Sequence, residues 1–229
     1  TPATLVAYYP YNAATQNPVM LQSAEPNPIY DFDPAKELCY TRFTAKRSTP
    51  VALNLKRVYS CIMFNEMYLS DDYPVNDVQL TNIRLYGNGI ASAATLDMLQ
   101  TDNATASLAD AVKPVEGSYG ISIDCDKTIR KMGNSPQWMR CLMIPHRFAT
   151  DDILNFDLTV NDTPMHGEVS ADVLCKGHLK EGYQYQIYIT IHPTRLEITR
   201  LERKEWIVEE VGDLSLIHIS EPTRPEPIS

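Results

Sequence analysis

Residues 183–191 alternate between two kinds of side chain, and this pattern limits the possible fold more than any other feature of the sequence. One set comprises Tyr183, Tyr185, Ile187, Ile189 and Ile191, and the other comprises Gln184, Gln186, Tyr188 and Thr190. Side chains alternate across a β-strand, so the sequence predicts a strand with one buried face and one face in water. Gly182 precedes this strand and Pro193-Thr194 ends it. A second strand with Leu196, Ile198 and Leu201 follows at hairpin distance.

Shorter patterns of the same kind fill most of the remaining chain. Strands are predicted over residues 51–64 (with a bulge), 78–86, 119–123, 138–144, 153–160 and 168–174, and a helix is plausible only within 91–112. In the 78–86 strand, Val78, Leu80, Asn82, Arg84 and Tyr86 are expected on one face. Clusters of Asn, Asp, Gly, Ser and Pro separate the strands and predict turns. Strand after strand without helices predicts an all-β fold, an antiparallel β-sandwich.

The first part of the chain has a different composition. Residues 6–11 (VAYYPY) predict a strand running into a turn, and a loop with Pro18, Pro26, Pro28 and Pro34 follows. Proline keeps the backbone extended and is excluded from central strands. We therefore interpret residues 1–47 as the end of a preceding β-sandwich domain and its linker, with a boundary near Arg47-Ser48. Residues 48–213 are predicted to form one complete sandwich.

Both ends of the chain suggest a fragment. It begins at Thr1-Pro2 without an initiator methionine, and a lost upstream signal stays open. Residues 214–224 read LSLIHISEPTR, which resembles the translation of a transposase adapter used in DNA library preparation. Residues 214–229 are therefore predicted to be a non-native tail, and the natural protein to be interrupted near Asp213. A native proline-rich tail is the alternative.

Charge and hydropathy exclude two classes of partner. The chain has 20 Lys and Arg against 29 Asp and Glu, which gives a formal net charge of -9. A chain of this sign repels a phosphate backbone unless it contains a basic patch, and we find none, so nucleic-acid binding is not expected. No window of the sequence approaches the roughly 20 apolar residues that span a bilayer, so a membrane-spanning helix is not expected.

The five cysteines do not form a recognisable site. Cys39, Cys61, Cys125, Cys141 and Cys175 are widely spaced, without a CxxC pair. Cys61 and Cys141 lie in apolar strand sequence and are expected to be buried free thiols, although a bridge between them is possible if their strands are neighbours. Cys175 and His178, with His166 upstream, are the one hint of a metal or nucleophilic cluster. We expect a surface loop there, with no metal and no cofactor.

Acidic and aromatic residues offer further candidates. Carboxylate pairs occur at Asp31/Asp33, Asp71/Asp72, Asp124/Asp126 and Asp151/Asp152. Such pairs can hydrolyse glycosides or bind calcium, but each is expected to be a solvated turn. Exposed aromatic residues can bind sugars or proteins, and the candidates for that role are Tyr8, Tyr9, Tyr11, Trp138 and Trp206. Core packing is the better first interpretation of them. No catalytic residues are predicted, and the chain is not expected to be an enzyme.

Several segments, in chain order, resemble the fimbrillin family, the pilin subunits and minor fimbrial proteins of Bacteroidota-type surface filaments (type V pili). They are residues 6–11 (VAYYPY), 53–58 (LNLKRV), 78–85 (VQLTNIRL), 142–145 (LMIP), 182–187 (GYQYQI) and 198–206 (ITRLERKEW). The match at 53–58 departs from the family pattern, which often has Phe and a His-Ala pair there. Together these segments cover nearly all of residues 5–210.

The resemblance implies a transthyretin-like, Greek-key sandwich, with the remnant of an earlier sandwich domain. It also implies export as a lipoprotein to the outer membrane and cell surface, through an upstream lipid anchor absent from this chain. Proteolytic maturation at the surface and polymerisation with other pilin subunits would follow. Subunits would join by donating a β-strand from the C-terminal region, for which Trp206, Ile207, Val208 and Val211 are the candidates.

We therefore expect a structural subunit or tip adhesin, with a host glycan or protein as a possible ligand of the adhesin. The first alternative is a cell-surface β-sandwich that binds carbohydrate or protein and never polymerises. A third, weaker possibility is a glycosidase accessory domain or hydrolase that uses the aspartate pairs.

Overall fold

The computed structural model describes residues 3–10, 18–22, 37–46, 50, 53–99, 108–131 and 139–206. Several residues singled out from the sequence lie outside these ranges. They are Tyr11, the Asp31/Asp33 pair, Trp138, the adapter-like tail 214–229, and three of the four donor-strand candidates, Ile207, Val208 and Val211.

Strands make up most of the described chain. They are β1 Ala3–Tyr9, β2 Val19–Gln22, β3 Cys39–Ala45, β4 Lys56–Arg57, β5 Ser60–Leu69, β6 Asp77–Gly87, β7 Ala93–Leu96, β8 Val112–Pro114, β9 Ile121–Arg130, β10 Met139–Met143, β11 His146–Arg147, β12 Ile153–Val160, β13 Thr163–Ser170, β14 His178–Leu179, β15 Tyr183–Ile191 and β16 Leu196–Glu205. A 3₁₀ turn covers Leu108–Ala111, and a short helix, α1, covers Ala171–Cys175. No helix in the described ranges is long and apolar enough to cross a membrane.

Two four-stranded sheets form a sandwich around the main core. Their strand orders are β10-β5-β15-β16 and β13-β12-β6-β9. Both sheets bury their facing side chains in one cluster, whose largest fully buried members include Tyr185, Phe64 and Phe156. Alternation along the strands produces this arrangement, because every second side chain points between the sheets. The predicted all-β sandwich is confirmed.

Strand β15 has the bounds that the sequence predicts, but its surroundings differ from the prediction. It pairs antiparallel with β16 and parallel with β5. The face expected to be wetted is covered at its centre, where Gln186 is 8% exposed and Tyr188 is 9% exposed. The Tyr188 hydroxyl donates to Oε1 of Gln186 over 3.2 Å, so the two polar side chains partner each other there. A strand with neighbours on both sides is shielded more than alternation alone suggests.

Strands β6 and β5 both contain a bulge, and both differ from the prediction. In β6 the pairing with β9 and with β12 skips Thr81, so the buried side chains are Val78, Leu80, Ile83 and Leu85. The prediction of one unbroken face from Val78 to Tyr86 is therefore wrong, because a bulge moves the following residues to the other face. The strand predicted over 51–64 begins only at Ser60 and extends to Leu69, with a register shift after Phe64.

Two local predictions differ from the structure. Within 91–112, where a helix was plausible, the described residues 91–99 and 108–112 hold strand β7, a 3₁₀ turn and the start of β8. The strand predicted over 168–174 instead ends at Ser170, whose side chain accepts a hydrogen bond from the Asp172 amide and caps α1. Serine favours helix N-caps because its oxygen satisfies an otherwise unpaired amide, and this local effect ends the strand.

A second, smaller hydrophobic cluster joins the first part of the chain to the sandwich. It receives Leu21 and Tyr40 from the N-terminal segment and Tyr59, Leu96 and Leu142 from later in the chain. Two small sheets surround it, with orders β1-β3-β4 and β2-β7-β8. In the second of these, β2 pairs with β7, so strands on both sides of the predicted boundary near residue 47 share one sheet. The division into domains at that position remains a prediction.

Gly167 leaves no room for a side chain beneath strand β13. A Cβ atom at this position would lie 2.5 Å from Cε2 of Phe156, which is fully buried in the main core. We expect Gly167→Ala to lower the free energy of unfolding by about 1–3 kcal/mol, because overpacking forces side chains from their rotamers. Glu168→Ala, at the exposed neighbouring position, is expected to change it by less than about 0.5 kcal/mol. Denaturant unfolding of both variants measures the difference, and equal effects would contradict the packing argument.

Candidate functional site: the clamp at the end of strand β16

The chain leaves its last strand at a fixed point, formed by Arg57 and Trp206. The Arg57 guanidinium carbon lies 4.3 Å from the centre of a Trp206 ring, and Nη1 donates to the Trp206 carbonyl oxygen over 2.8 Å. The Trp206 amide donates to the Gly182 carbonyl over 2.8 Å, and its side chain packs against the second hydrophobic cluster. Both the backbone and the side chain of Trp206 are therefore bound to the rest of the molecule.

Glu37 completes this group on the other side of Arg57. Its Oε1 accepts a hydrogen bond from Arg57 Nε, and the two side chains are 6% and 12% exposed. Burial raises the pKa of Glu37, while the positive charges of Arg57 and Arg140 act in the opposite direction. The ion pair is thus largely removed from water, where loss of one member leaves the other unpaired. We call Glu37, Arg57 and Trp206 the clamp.

Backbone contacts place the three members of the clamp. The Val58 amide donates to the Leu38 carbonyl over 2.8 Å, which holds the residues after Glu37 against those after Arg57. The Gly182 amide donates to the Tyr59 carbonyl over 2.9 Å, which brings the start of β15 to the same place. Three distant segments therefore meet at the clamp.

The sequence singled out Trp206 but missed Glu37 and Arg57. Arg57 is 20 positions from Glu37 and 149 positions from Trp206, and no local spacing signals such contacts. Of the donor-strand candidates, Trp206 is described and is held by its own chain. Its three successors lie outside the described residues, so the donor segment stays a prediction.

The cysteines are free thiols in the structure. Strands β5 and β10 are neighbours, as a Cys61–Cys141 bridge would require, but Cys141 lies opposite Ile62 and Cys61 lies opposite Leu142. The two cysteines therefore point to opposite faces of the sheet, because directly opposed residues share a face. Cys61 and Cys141 are buried, as the sequence predicts.

The Cys175 region does not form the cluster that its sequence hinted at. Cys175 ends α1 and is buried, with its Sγ donating to the Ala171 carbonyl over 3.1 Å, rather than lying on a surface loop. His166 is in β13 and contacts Asp157, with Nδ1 and Oδ1 2.9 Å apart. Burial raises the pKa of Cys175 to about 11, which suppresses the nucleophilic thiolate. Within the described ranges no group of three or more His, Cys, Asp or Glu could hold a metal ion.

The described aspartate pairs interact with nearby backbone and side chains. Asp152 accepts hydrogen bonds from the Ala149 amide and the Asn88 side chain, and so supports a turn. Asp72 lies beside His192, with its Oδ1 3.6 Å from His192 Nδ1, and its pKa is lowered chiefly by the neighbouring Ser70 side chain. Asp124 and Asp126 lie within β9 rather than in the turn expected, and bind the side chains of strand β6.

The described aromatic candidates fall into two groups. Tyr8 and Trp206 pack against the second hydrophobic cluster, as expected. Tyr9 is 53% exposed, so the expectation of core packing is wrong for this residue. Tyr8 and Tyr9 differ in burial because successive side chains of β1 point to opposite faces of the strand, and only one face meets the second hydrophobic cluster.

Comparison with known proteins assigns the family. The family model described as fimbrillin-like matches residues 1–206. The chain belongs to the fimbrillin-like family. The match ends at Trp206, which closes the clamp, and it confirms the resemblance found in the sequence motifs. Among proteins with curated descriptions, no significant match is found.

Solved structures share the fold of this fimbrillin-like chain. A proposed cell adhesion protein from Bacteroides ovatus is 17% identical, with 91% of this chain and 69% of that chain covered and a TM-score of 0.54. A second, from Bacteroides uniformis, is 15% identical, with coverages of 89% and 73% and a TM-score of 0.57. The tip fimbrial protein Mfa3 from Porphyromonas gingivalis is 12% identical, with coverages of 74% and 63%. Its TM-score of 0.41 supports no inference about this chain.

The pairing of the thiols can be checked directly. Burial raises the pKa of Cys61 to about 12, and those of Cys39 and Cys125 to about 11, so native thiols should react slowly near neutral pH. After denaturation without reductant, we expect the chain to take up five alkyl groups, one for each free thiol. Intact mass measurement counts them. A count lower by two would show a disulfide and contradict the structure.

The energetic role of the clamp can be tested by removing Arg57. We expect Arg57→Ala to lower the free energy of unfolding by about 3–5 kcal/mol, because the buried Glu37 loses the side chain with which it forms an ion pair and a hydrogen bond. Adding Glu37→Gln to that variant should recover part of the loss by removing the unpaired charge.

Arg203→Ala is the matched control, since Arg203 also lies 4.3 Å from an aromatic ring, that of Tyr183, but is exposed. A cost of about 0.5–1 kcal/mol is expected for it. Denaturant unfolding measures all three variants. If Arg57→Ala cost no more than Arg203→Ala, the clamp would have no special stabilising role.

Proposed function

We propose that this chain is a structural subunit or tip adhesin of a bacterial surface fimbria, without catalytic activity, exported to the cell surface and outer membrane. The match of the fimbrillin-like family model to residues 1–206 is the observation that carries the proposal. Its partners are other pilin subunits and, in a tip adhesin, a host glycan or protein. An upstream lipid anchor, outside this chain, would provide the link to the membrane.

We further propose that subunits join by β-strand donation from the residues after the clamp. A donated strand must be fixed to its own subunit at one end and reach the next subunit with the other. Trp206 supplies the fixed end, since Arg57 and Gly182 bind its backbone. Ile207, Val208 and Val211 follow, and β-branched residues favour strand conformation. Backbone hydrogen bonds to an open sheet edge would then provide much of the affinity.

The charges on β16 support assembly at a defined edge rather than at any edge. This strand lies at the edge of its sheet and carries Arg200, Glu202 and Lys204 along one face. Glu202 forms ion pairs with both basic residues. Charged side chains on edge strands discourage unplanned pairing with other chains. We therefore propose that the acceptor edge is not β16.

The experiment uses the native gene in its source bacterium, with antibodies raised against the chain described here. We expect the antibodies to label surface filaments in electron micrographs of wild-type cells. Deletion of residues 207–211, which leaves the clamp in place, should remove the filaments while the secreted subunit stays folded and monomeric. Gel filtration and circular dichroism of the recovered subunit measure both properties.

A matched variant separates strand donation from general damage. Glu209→Ala with Glu210→Ala changes the same segment but keeps Ile207, Val208 and Val211, so filaments should persist. Labelled protein at the surface without filaments in wild-type cells would favour a binding sandwich that does not polymerise. Filaments that survive the deletion would overturn the donor assignment alone.

A further inference from the structure

We propose that the clamp of Glu37, Arg57 and Trp206 is a mechanical lock, which diverts part of the tension across the subunit away from the main sandwich. This inference rests on the proposed fimbrial function, because a subunit within a filament is pulled at both ends. In the proposed assembly, one of these forces would enter through the residues that follow Trp206.

Trp206 is held by two residues that would resist tension applied to it. Its carbonyl oxygen and its ring are bound by the Arg57 side chain, and its amide is bound by the Gly182 carbonyl. Arg57 belongs to strand β4, and its other side is held by the buried carboxylate of Glu37. Part of the force on Trp206 is thereby transferred to β4 and Glu37, outside the sandwich.

From β4 the force continues through the first small sheet. Cys39 of β3 pairs with Arg57 on one side and with Tyr9 of β1 on the other. Strand β1 then runs from Tyr9 back to Ala3, paired with β3 along its whole length. At about 3.3 Å per residue, the other end of this strand lies roughly 20 Å from the clamp. Pulling Ala3 away from Arg57 therefore loads the pairing of β1 with β3 in shear, parallel to the strands. All hydrogen bonds between these two strands then share the force.

The sandwich lies in the closed loop between the two clamp residues. Arg57 and Trp206 are separated by 149 positions, and strands β5 to β16 all fall between them. While the clamp holds, these strands carry only the part of the force that the direct connection does not take. Once the clamp opens, force on Trp206 acts on the end of β16, which is an edge strand paired only with β15 in its sheet. The Tyr183–Glu205 pair would then separate first, and the others would follow one at a time.

The test is single-molecule unfolding of the full chain at constant force, with handles attached at residues 1 and 229. A step of about 50 nm identifies unfolding of the loop between Arg57 and Trp206, since 149 residues span at most roughly 3.6 Å each. We expect Arg57→Ala to shorten the waiting time before this step by about tenfold or more, since the variant loses charge-assisted and cation–π contacts. Arg203→Ala, whose guanidinium contacts Tyr183 within the sandwich, should shorten it by less than about threefold.

Two measurements distinguish a mechanical lock from ordinary stabilisation. The first is the unfolding rate without force, measured by denaturant jump, which Arg57→Ala should raise by a smaller factor than it does under force. The second moves one handle from residue 229 to Thr194, in the turn between β15 and β16, so that tension no longer enters through Trp206. In this geometry Arg57→Ala should change the waiting time by the same factor as it changes the rate without force.

The proposal would be overturned if Arg57→Ala shortened the waiting time by the same factor with the handle at residue 229 as with the handle at Thr194. It would also be overturned if Arg57→Ala raised the unfolding rate by the same factor with and without force. If Arg57→Ala does not fold, Arg57→Lys takes its place, because lysine keeps the charge near Glu37 but lacks the planar guanidinium group. All of these measurements use isolated molecules. Their failure is therefore distinct from failure of the proposed function, which is decided by filaments on cells.

Discussion

Parallel pairing between β5 and β15 is the constraint on which the rest of the sandwich depends. A hairpin cannot join parallel neighbours, so the chain between Leu69 and Tyr183 must leave the sheet and return. It does so by forming the opposite sheet, in which β6 lies between β9 and β12, and it returns once between β9 and β12 to place β10 beside β5. The core closes because the apolar faces of the two sheets meet. Strands β5 and β15 lie at the centre of one sheet, and β6 and β12 lie at the centre of the other. Strand β16 then adds to β15 as the last element, and the chain arrives beside Arg57.

Because the stabilising contacts join distant parts of the sequence, the two ends of the described chain are linked in space. The second hydrophobic cluster contains Leu21 and Tyr40 from the beginning, together with Trp206 from the end. The clamp adds an ion pair largely shielded from water at the same place. A fold with so many long-range contacts must close large loops before it gains their energy, and such topologies fold slowly. In return, neither end of the described chain is attached through local structure alone.

Local sequence patterns predicted the bounds of a strand correctly where each face of the strand has the same surroundings along its whole length. Strands β12 and β15 have the predicted bounds for this reason, and the all-β class follows from them. The prediction failed where a single residue changes the geometry, as at the Thr81 bulge and the Ser170 cap. The clamp could not be predicted, since the contacts of Arg57 depend on the whole topology. Burial of Gln186 was missed similarly, because alternation says nothing of what covers a face.

The register between β5 and β10 has a consequence for how the protein can be produced. Cys61 and Cys141 are sequence-distant and lie on adjacent strands, yet their side chains project to opposite faces of the sheet. The folded arrangement thus keeps apart the two thiols whose strands pair, and all five cysteines are reduced. Stability derives from apolar packing and the clamp rather than from covalent cross-links. Production of the folded chain therefore requires no oxidant to join Cys61 and Cys141, because a bridge between them would need the strand pairing to shift by one residue.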